Sequence, residues 1–337
     1  MYIENNIIRT RLSIWLIFMF FLIMLMIVVG GLTRLTDSGL SITKWELFSG
    51  ILPPLNNENW IIYFEEYKLI PEFKFQNYSM TLSEFKIIFW WEWAHRFLGR
   101  LIGLAFIAPL IYFTIKIGFK KLLNFYFIFS LICFQGFLGW FMVQSGLVDN
   151  IDVSHFRLSV HLLFAFIILS LILWNLFLIN RTQKYQNRLI NFLPEFILFL
   201  IFLQIIIGAF VSGMDAGKIY NSWPLMGETY FPDDNKLSNL FKMTAFSDPS
   251  LVQFLHRNLA YLTSFIYLIS IYVVFKNKII NLIKPVIILG LIIFLQVLLG
   301  ILTVLSGATI IFASLHQFSS ILLVSSALYL LFKNRFA

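Results

Sequence analysis

Residues 92–100 read Glu-Trp-Ala-His-Arg-Phe-Leu-Gly-Arg, and residues 253–261 read Gln-Phe-Leu-His-Arg-Asn-Leu-Ala-Tyr. Each stretch contains a His-Arg pair and opens a long apolar run. The two histidines, His95 and His256, are 161 positions apart. The rest of the sequence repeats around these stretches, which predicts a chain built from two similar halves.

The composition indicates a membrane protein. Of 337 residues, 59% are hydrophobic and 12% are charged, whereas soluble domains carry about 25% charged residues. The apolar residues fall into runs of about 20, the length that crosses a bilayer as a helix. We predict an all-α polytopic membrane protein with eight transmembrane helices. The predicted spans are residues 12–33, 94–115, 122–143, 157–179, 194–213, 253–275, 285–305 and 310–332.

The basic residues predict the orientation of the spans. They cluster in the two tails and in alternate connections, at Arg9, Arg11, Lys116, Lys120, Lys121, Arg181, Lys184, Arg188, Lys276, Lys278, Lys284, Lys333 and Arg335. The positive-inside rule places these segments in the cytoplasm, with both termini. A bacterial plasma membrane is the predicted location. The net charge of +8 then reflects topology within the lipid bilayer and gives no reason to expect nucleic acid.

Two predicted external loops, residues 34–93 and 214–252, are unusually long. Loops of this length are usually functional or disordered. Tryptophans and tyrosines within them favour ordered caps at the membrane surface. The Glu- and Lys-rich residues near 58–74 predict one surface helix in the first loop.

Residues of the first half recur in the second half at a sequence offset that becomes smaller along the chain, because the loops of the second half are shorter. Asp37-Ser38-Gly39 and Trp45 match Asp215-Ala216-Gly217 and Trp223 at an offset of 178; Gln135, Gly139 and Ser145-Gly146 match Gln296, Gly300 and Ser306-Gly307 at 161; His161 matches His316 at 155. The repeat predicts two four-helix halves, residues 1–180 and 181–337. With an even number of spans, both halves insert the same way up, related by a pseudo-twofold axis along the membrane normal.

Four of the five histidines belong to this repeat: His95, His161, His256 and His316. They fall in the first turns of the second and fourth helix of each half, near the external face. Two imidazoles on facing helices can hold a haem iron from both sides. The alternatives are interfacial histidines and a metal site without porphyrin. His155 has no counterpart and is interpreted as a loop residue.

An arginine follows the second-helix histidine in each half. Arg96 and Arg257 lie at the predicted membrane border, where arginines need a partner. Haem propionates would be suitable partners through charge-assisted hydrogen bonds. The alternative is that both side chains snorkel to lipid headgroups.

The halves differ three residues before this histidine. Glu92 and His95 share one helix face, and the counterpart of Glu92 is the neutral Gln253. A carboxylate beside a haem edge can move protons or stabilise positive charge. We therefore predict a reactive site in the N-terminal half and a passive haem in the C-terminal half. The alternative is that Glu92 merely pairs with Arg96 at the surface.

The chain resembles the haem A synthase family over nearly its whole length. The stretches that carry the resemblance are Gly30-Gly31-Leu32-Thr33-Arg34, Glu92-Trp93-Ala94-His95-Arg96, Gln135-Gly136-Phe137-Leu138-Gly139-Trp140, His155 to His161, Asp215-Ala216-Gly217 with Trp223-Pro224, His256-Arg257 and His316. Together these motifs are specific, although each alone is weak.

The resemblance implies an activity and a role for each histidine pair. The substrate haem O would bind through His95 and His161, with Glu92 as the essential acid, and a haem b cofactor would bind through His256 and His316. The implied reaction oxidises the C8 methyl of haem O to a formyl group by successive hydroxylations, with water as the oxygen source, for cytochrome oxidase biogenesis.

The resemblance leaves the partners less defined. Electrons would pass through haem b to an unidentified acceptor, and haem O synthase and cytochrome oxidase assembly factors are expected partners. Some members carry a cysteine pair in the first external loop. This chain has only Cys133, inside an apolar run, and so resembles the cysteine-free branch that includes mitochondrial and alphaproteobacterial enzymes. The oligomeric state stays open, a homo-oligomer included.

Two other functions fit part of the pattern. A dihaem b-type electron-transfer cytochrome without porphyrin chemistry would need the same four histidines, but it gives no reason for Glu92 opposite Gln253. A transporter or haem-handling chaperone could use a parallel repeat. The intramembrane polar residues, however, cluster at one border and not at the midplane, where transport sites usually lie.

Overall fold

A computed structural model describes residues 5–45, 49–148, 150–181 and 189–336. The regular structure of these residues is helical. The helices are α1 (Asn6–Leu35), α2 (Asn57–Tyr67), α3 (Pro71–Phe75), α4 (Leu82–Ile117), α5 (Leu123–Leu147), α6 (His155–Ile179), α7 (Leu193–Gly213), α8 (Pro249–Lys276), α9 (Ile280–Leu305) and α10 (Ile310–Phe336).

Eight of the described helices, α1 and α4 to α10, are long and apolar enough to cross a membrane. This confirms the prediction of an all-α, multi-pass membrane protein with eight spans. The orientation of the termini stays a prediction.

The second predicted span begins earlier than expected. Helix α4 starts at Leu82 and not near residue 94, so Glu92 and His95 lie well inside it. The cause is a capping box, in which Thr81 Oγ1 accepts from the Glu84 N–H and the Glu84 carboxylate accepts from the Thr81 N–H at 2.8 Å. Helix α8 likewise begins at Pro249, where Asp248 caps the N–H of Leu251.

The helices form two compact units. One is Phe21–Ala165; the other combines the described parts of Met1–Phe20 and Phe166–Ala337. In the latter unit, α7 packs against α8 and α10, and α9 packs against the same two helices. This ring of four neighbours is a four-helix bundle. The division into tandem halves at residue 180 stays a prediction.

The connection between α1 and α4 forms an ordered cap in the described residues. It contains two helices where one was predicted, because α2 ends at Tyr67 and Pro71 begins α3. Ile70 before that proline is extended, with φ −81° and ψ 159°, as the proline ring requires.

The cap is held by a cluster of buried side chains, here called the cap cluster. Its members are Leu40, Ile42, Trp60, Phe64, Tyr67, Ile70, Phe85, Ile88 and Phe89. It joins the chain after α1, helix α2 and the first turns of α4 into one apolar core. Aromatic edges contribute, as between Trp60 and Phe89, whose ring centroids are 4.9 Å apart. The prediction of an ordered cap is confirmed for these residues.

A buried carboxyl lies beneath this cap. Glu72 in α3 is 4% exposed, and its Oε2 has no hydrogen-bond partner among the described residues. Burial, and then the charges of Glu92, Asp37 and Asp152, raise the pKa of Glu72 from 4.5 to about 8. The folded cap therefore holds this carboxyl in its neutral form near neutral pH.

The cap is expected to weaken as pH rises. Between pH 4.5 and about 8 the unfolded chain loses the Glu72 proton while the folded chain keeps it, so stability falls through this range. We expect Glu72→Gln to unfold at the same temperature as wild type at pH 4.5 and at a higher temperature at pH 9. Thermal unfolding in detergent at both pH values measures this. Glu65→Gln, at an exposed side chain, is the control, and an equal change at both pH values would contradict the assignment.

Candidate functional site

Two pairs of histidines face one another, one in each unit. The ring centroids of His95 on α4 and His161 on α6 are 6.4 Å apart. Those of His256 on α8 and His316 on α10 are also 6.4 Å apart. Two metal–imidazole bonds of about 2 Å each, plus the two ring radii, add up to roughly 6 Å. Each pair is therefore spaced to hold one iron between its rings.

Each imidazole lies against a glycine on a neighbouring helix. A Cβ built on Gly30 would lie 3.1 Å from His95, and one on Gly139 would lie 3.2 Å from His161. In the other unit, Gly208 and Gly300 take the same places beside His256 and His316, at 2.9 Å and 3.0 Å. These glycines also match one another at the repeat offsets. Their missing side chains let the rings pack on bare helix backbone.

Glutamines precede three of these glycines by one helical turn. Gln135 Nε2 donates to the carbonyl of His161 at 2.9 Å. Gln204 Nε2 donates to the carbonyl of His256 and lies 3.1 Å from its Nδ1. Gln296 Nε2 donates to the carbonyl of His316 and lies 3.3 Å from its Nδ1.

These features suit haem more than an isolated metal ion. Within the described residues, no group of three or more His, Cys, Asp and Glu side chains could hold a metal ion. Two axial imidazoles suffice when a porphyrin supplies the other ligands. The buried His161 Nδ1 has no hydrogen-bond partner in the described part of the chain, so a ring nitrogen is available to a metal.

The glycine contacts predict a position-specific effect within one helix. Gly139→Ala brings a methyl group to 3.2 Å from His161 Cε1, whereas Gly136 on the same helix has open space at its Cβ position. We expect Gly139→Ala to displace the imidazole, at a cost of about 1–3 kcal/mol, and to lower haem content. Gly136→Ala should keep full haem content and gain up to about 1 kcal/mol from helix propensity. Haem per chain and thermal stability are the measurements, and equal haem loss in both variants would refute the contact.

Glu92 is 2% exposed, and its carboxylate accepts hydrogen bonds on both oxygens. Oε2 accepts from Ser41 Oγ at 2.7 Å and from the Ile42 N–H at 2.8 Å. Oε1 accepts from Arg96 Nη2 at 2.6 Å. The ion pair with Arg96 thus exists but is buried, and Glu92 also ties the start of the cap to α4.

At the matching position in the other half, the side-chain amide donates a hydrogen bond to the loop backbone, whereas Glu92 accepts one. Gln253, also 2% exposed, donates from Nε2 to the carbonyl of Tyr220 at 3.0 Å. Tyr220 matches Ile42 at the repeat offset. In the N-terminal half the loop backbone therefore offers an N–H to the Glu92 carboxylate. In the C-terminal half it offers a carbonyl to the Gln253 amide. The sequence difference is accompanied by a matching difference in the loop backbone.

Both arginines clamp loop carbonyls. Arg96 donates to the carbonyls of Ile42 at 2.8 Å and Lys44 at 3.2 Å.

Arg257 makes the matching pair of bonds in the other unit. It donates to the carbonyls of Tyr220 at 3.0 Å and Ser222 at 2.9 Å. Both side chains thus have hydrogen-bond partners within the protein, and the predicted binding of propionates stays a prediction.

Sequence reasoning missed several residues of this site. His155 is the first residue of α6 and not a loop residue. The Ser41 bond to Glu92 could not be anticipated, because no local pattern connects residues 51 positions apart. The glycine partners were detectable, since Gly30 and Gly208 share the offset of 178 that relates the two Asp-x-Gly turns.

Comparison with known proteins agrees with this geometry. The family model described as "Cytochrome oxidase assembly protein" (COX15-CtaA) matches residues 13–328. The chain is 51% identical to the heme A synthase of Pelagibacter ubique over 338 residues, covering 99% of each chain. It is 42% identical to the heme A synthase of Rickettsia bellii, covering 97% of this chain and 99% of the relative. It is also 42% identical to that of Flavobacterium psychrophilum, covering 94% and 96%.

These similarities extend over almost the full length of each relative, and the range matched by the family model contains both histidine pairs. The resemblance seen in the motifs is thereby confirmed. The chain belongs to the haem A synthase family.

Proposed function

We propose that this protein converts haem O to haem A, by oxidising the C8 methyl group of haem O to a formyl group for cytochrome oxidase biogenesis. The observation that carries the proposal is an asymmetry. Two histidine pairs have the same 6.4 Å spacing, but among the described residues only one pair has a buried carboxylate, Glu92, one helical turn away. The full-length similarity to proteins named heme A synthase supports this reading.

The two histidine pairs take different roles in this proposal. His95 and His161 hold the substrate haem O. His256 and His316 hold a resident haem b, which supplies one-electron redox chemistry when bound. The glycines beside the four rings let each imidazole pack against helix backbone.

Successive hydroxylations with water as oxygen source would account for the product. Conversion of a methyl group and one water to a formyl group releases four electrons and four protons. Glu92 is the residue placed to take up protons, because it is a buried carboxylate on the helix that carries His95. Arg96 neutralises the charge of the Glu92 carboxylate and fixes its orientation. The electrons leave through the C-terminal half to an acceptor outside the chain.

The proposed setting is a bacterial plasma membrane, with both termini in the cytoplasm and the haem sites near the external face. Haem O synthase would deliver the substrate, and cytochrome oxidase assembly factors would receive the product.

Expression in a host that makes haem O but no haem A tests the proposal. Haems are then extracted from membranes and from the purified protein and identified by chromatography and mass. The expected result is haem A, or its hydroxylated intermediate, together with bound haem b. Bound haem b alone would instead support the dihaem electron-transfer cytochrome, which the two equal ring spacings fit equally well. A protein without haem would refute both.

A further inference from the structure

The four histidines are not held equally. Each is approached by a helix that carries a glycine, and the residue four positions before that glycine faces the histidine backbone. It is Gln135 for His161, Gln204 for His256 and Gln296 for His316. For His95 the glycine is Gly30, and the residue four positions before it is Met26.

Met26 occupies the place that a glutamine takes elsewhere. A Cβ built on Gly99 would lie 3.2 Å from Met26 Cε. Gly99 is four residues beyond His95, so its N–H is directed at the His95 carbonyl within the helix. In the other unit the amide of Gln204 contacts the equivalent carbonyl, that of His256. Met and Gln have similar lengths, and each side chain reaches the helix turn that follows its histidine.

Methionine in place of glutamine at position 26 removes a possible hydrogen bond to His95. An amide can donate and accept, whereas a thioether is only a weak acceptor. His95 has no side-chain hydrogen bond within the described ranges, whereas His256 has the amide of Gln204 3.1 Å from Nδ1 and 3.2 Å from Nε2. Gln204 Nε2 also donates to the main-chain carbonyl of His256 at 2.9 Å, which ties the backbone of that histidine to α7. Met26 has no donor for the matching bond to His95, and loss of a contact that positions a metal ligand typically lowers metal affinity about 10–100-fold.

The difference extends to the second ring of each pair. The side-chain nitrogen of Gln296 lies 3.3 Å and 3.4 Å from the ring nitrogens of His316, and His316 Nδ1 lies 3.2 Å from the main-chain carbonyl oxygen of Gln296. The His161 ring has no such contact in the described chain, although Gln135 holds its backbone. In the C-terminal half a main-chain carbonyl thus faces His316 Nδ1 and Gln204 holds the His256 backbone. His95 has neither kind of bond among the described residues, and it is the least restrained of the four.

We propose that the His95–His161 pair is an exchangeable haem site in which His95 is the ligand that dissociates from the iron. We infer that His95 dissociates readily because Met26 stands where the other helices have a glutamine. This inference rests on the proposed function, because an enzyme must release its product haem while keeping its cofactor. His161, fixed through Gln135, retains the haem while the His95 side opens. Met26 and Gln204 act as positioning residues, since they reach the iron only through histidines.

Haem transfer from the purified holoprotein to excess apomyoglobin tests the proposal. Extracted haems are identified as haem O or haem b at each time point. In the wild type we expect haem O to leave at least tenfold faster than haem b. Met26→Gln should slow the loss of haem O about tenfold, and Gln204→Met should speed the loss of haem b about 10–100-fold. Met26→Leu, which adds no amide, is the matched control and should behave as wild type.

Carbon monoxide binding to the reduced protein provides a second, spectroscopic readout. An iron that His95 has released accepts carbon monoxide, so the wild-type haem O should give a carbon monoxide difference spectrum and Met26→Gln should lose it. Unchanged transfer rates and spectra in Met26→Gln and Gln204→Met, with both haems bound, would overturn this inference and leave the proposed function standing. Absence of haem A and of its hydroxylated intermediate from the wild-type protein and its membranes would overturn the proposed function itself.

Discussion

Glu92→Gln is expected to abolish haem A formation while both haems remain bound. The variant makes the N-terminal half resemble the C-terminal half, where Gln253 takes this position. General acid–base groups contribute about 10²–10⁴ in rate, so product should fall at least about 100-fold. Extracted haem A per bound haem O, compared with wild type, is the measurement.

The hydrogen bonds around Glu92 add a structural effect that must be separated from the chemical one. The carboxylate accepts from Arg96 on one oxygen and from the Ile42 N–H on the other. An amide must turn its NH₂ group toward one of these donors, which weakens the hydrogen bonds that join α4 to the cap.

Ser41→Ala removes the hydrogen bond from Ser41 to Glu92 and keeps the carboxylate, so it should lower stability and retain product formation. Gln253→Glu is the control in the other half, and it should leave the rate of the N-terminal site unchanged. A normal rate in Glu92→Gln would show that the carboxylate moves no protons. Loss of haem O in that variant would show that Glu92 shapes the binding site instead.

Replacing His256 or His316 with alanine is expected to remove haem b and stop turnover, with haem O still bound. In the proposed function each of these histidines would bind the haem b iron, and its loss should lower haem affinity by more than the roughly 10–100-fold that is lost with a contact that only orients a ligand. Without haem b, the electrons released from the methyl group would have no route out of the proposed site. The ratio of haem b to haem O in the purified protein measures the effect.

The matched variant in the other half is His161→Ala, which should lose haem O and keep haem b. Taken together, the three variants assign each haem to a pair. If His256→Ala keeps haem b and His161→Ala loses it, the assignment of cofactor and substrate to the two halves is reversed. If every variant loses both haems, the two sites depend on each other for folding.

Much of this arrangement could be predicted from the sequence. Spans follow from apolar runs, because a bilayer accepts only helices and closed barrels. The duplication made the four histidines stand out, since each has a partner at the repeat offset. The spacing of the pairs was also inferable, because facing helices of a four-helix bundle bring inward residues together.

The start of α4 shows what apolar periodicity misses. The apolar run before Glu92 looked like loop because its charges, Glu84 and Lys86, interrupt it. The capping box of Thr81 and Glu84 was nevertheless readable as a helix start. In contrast, the loop carbonyls that hold Arg96 and Arg257 depend on how a long loop folds back, which no local pattern encodes.

The partners of Glu92 were beyond sequence reasoning for a similar reason. The repeat identified the carboxylate as the odd residue but did not indicate that the Ile42 N–H would face it. The backbone of the loop and the side chain of the helix change together between the halves. A comparison of side chains alone therefore misses half of the difference.

The cap cluster has a consequence for the order in which the chain matures in the cell. Its residues come from before α2, from α2 and from the start of α4, and partly buried side chains of Val143 and Leu147 at the end of α5 pack against it. The cluster can close only after α4 and α5 have been threaded through the bilayer and the end of α5 has returned to the side of the cap. A chain whose α4–α5 hairpin is not inserted would leave this aromatic surface exposed to water, where apolar patches promote aggregation.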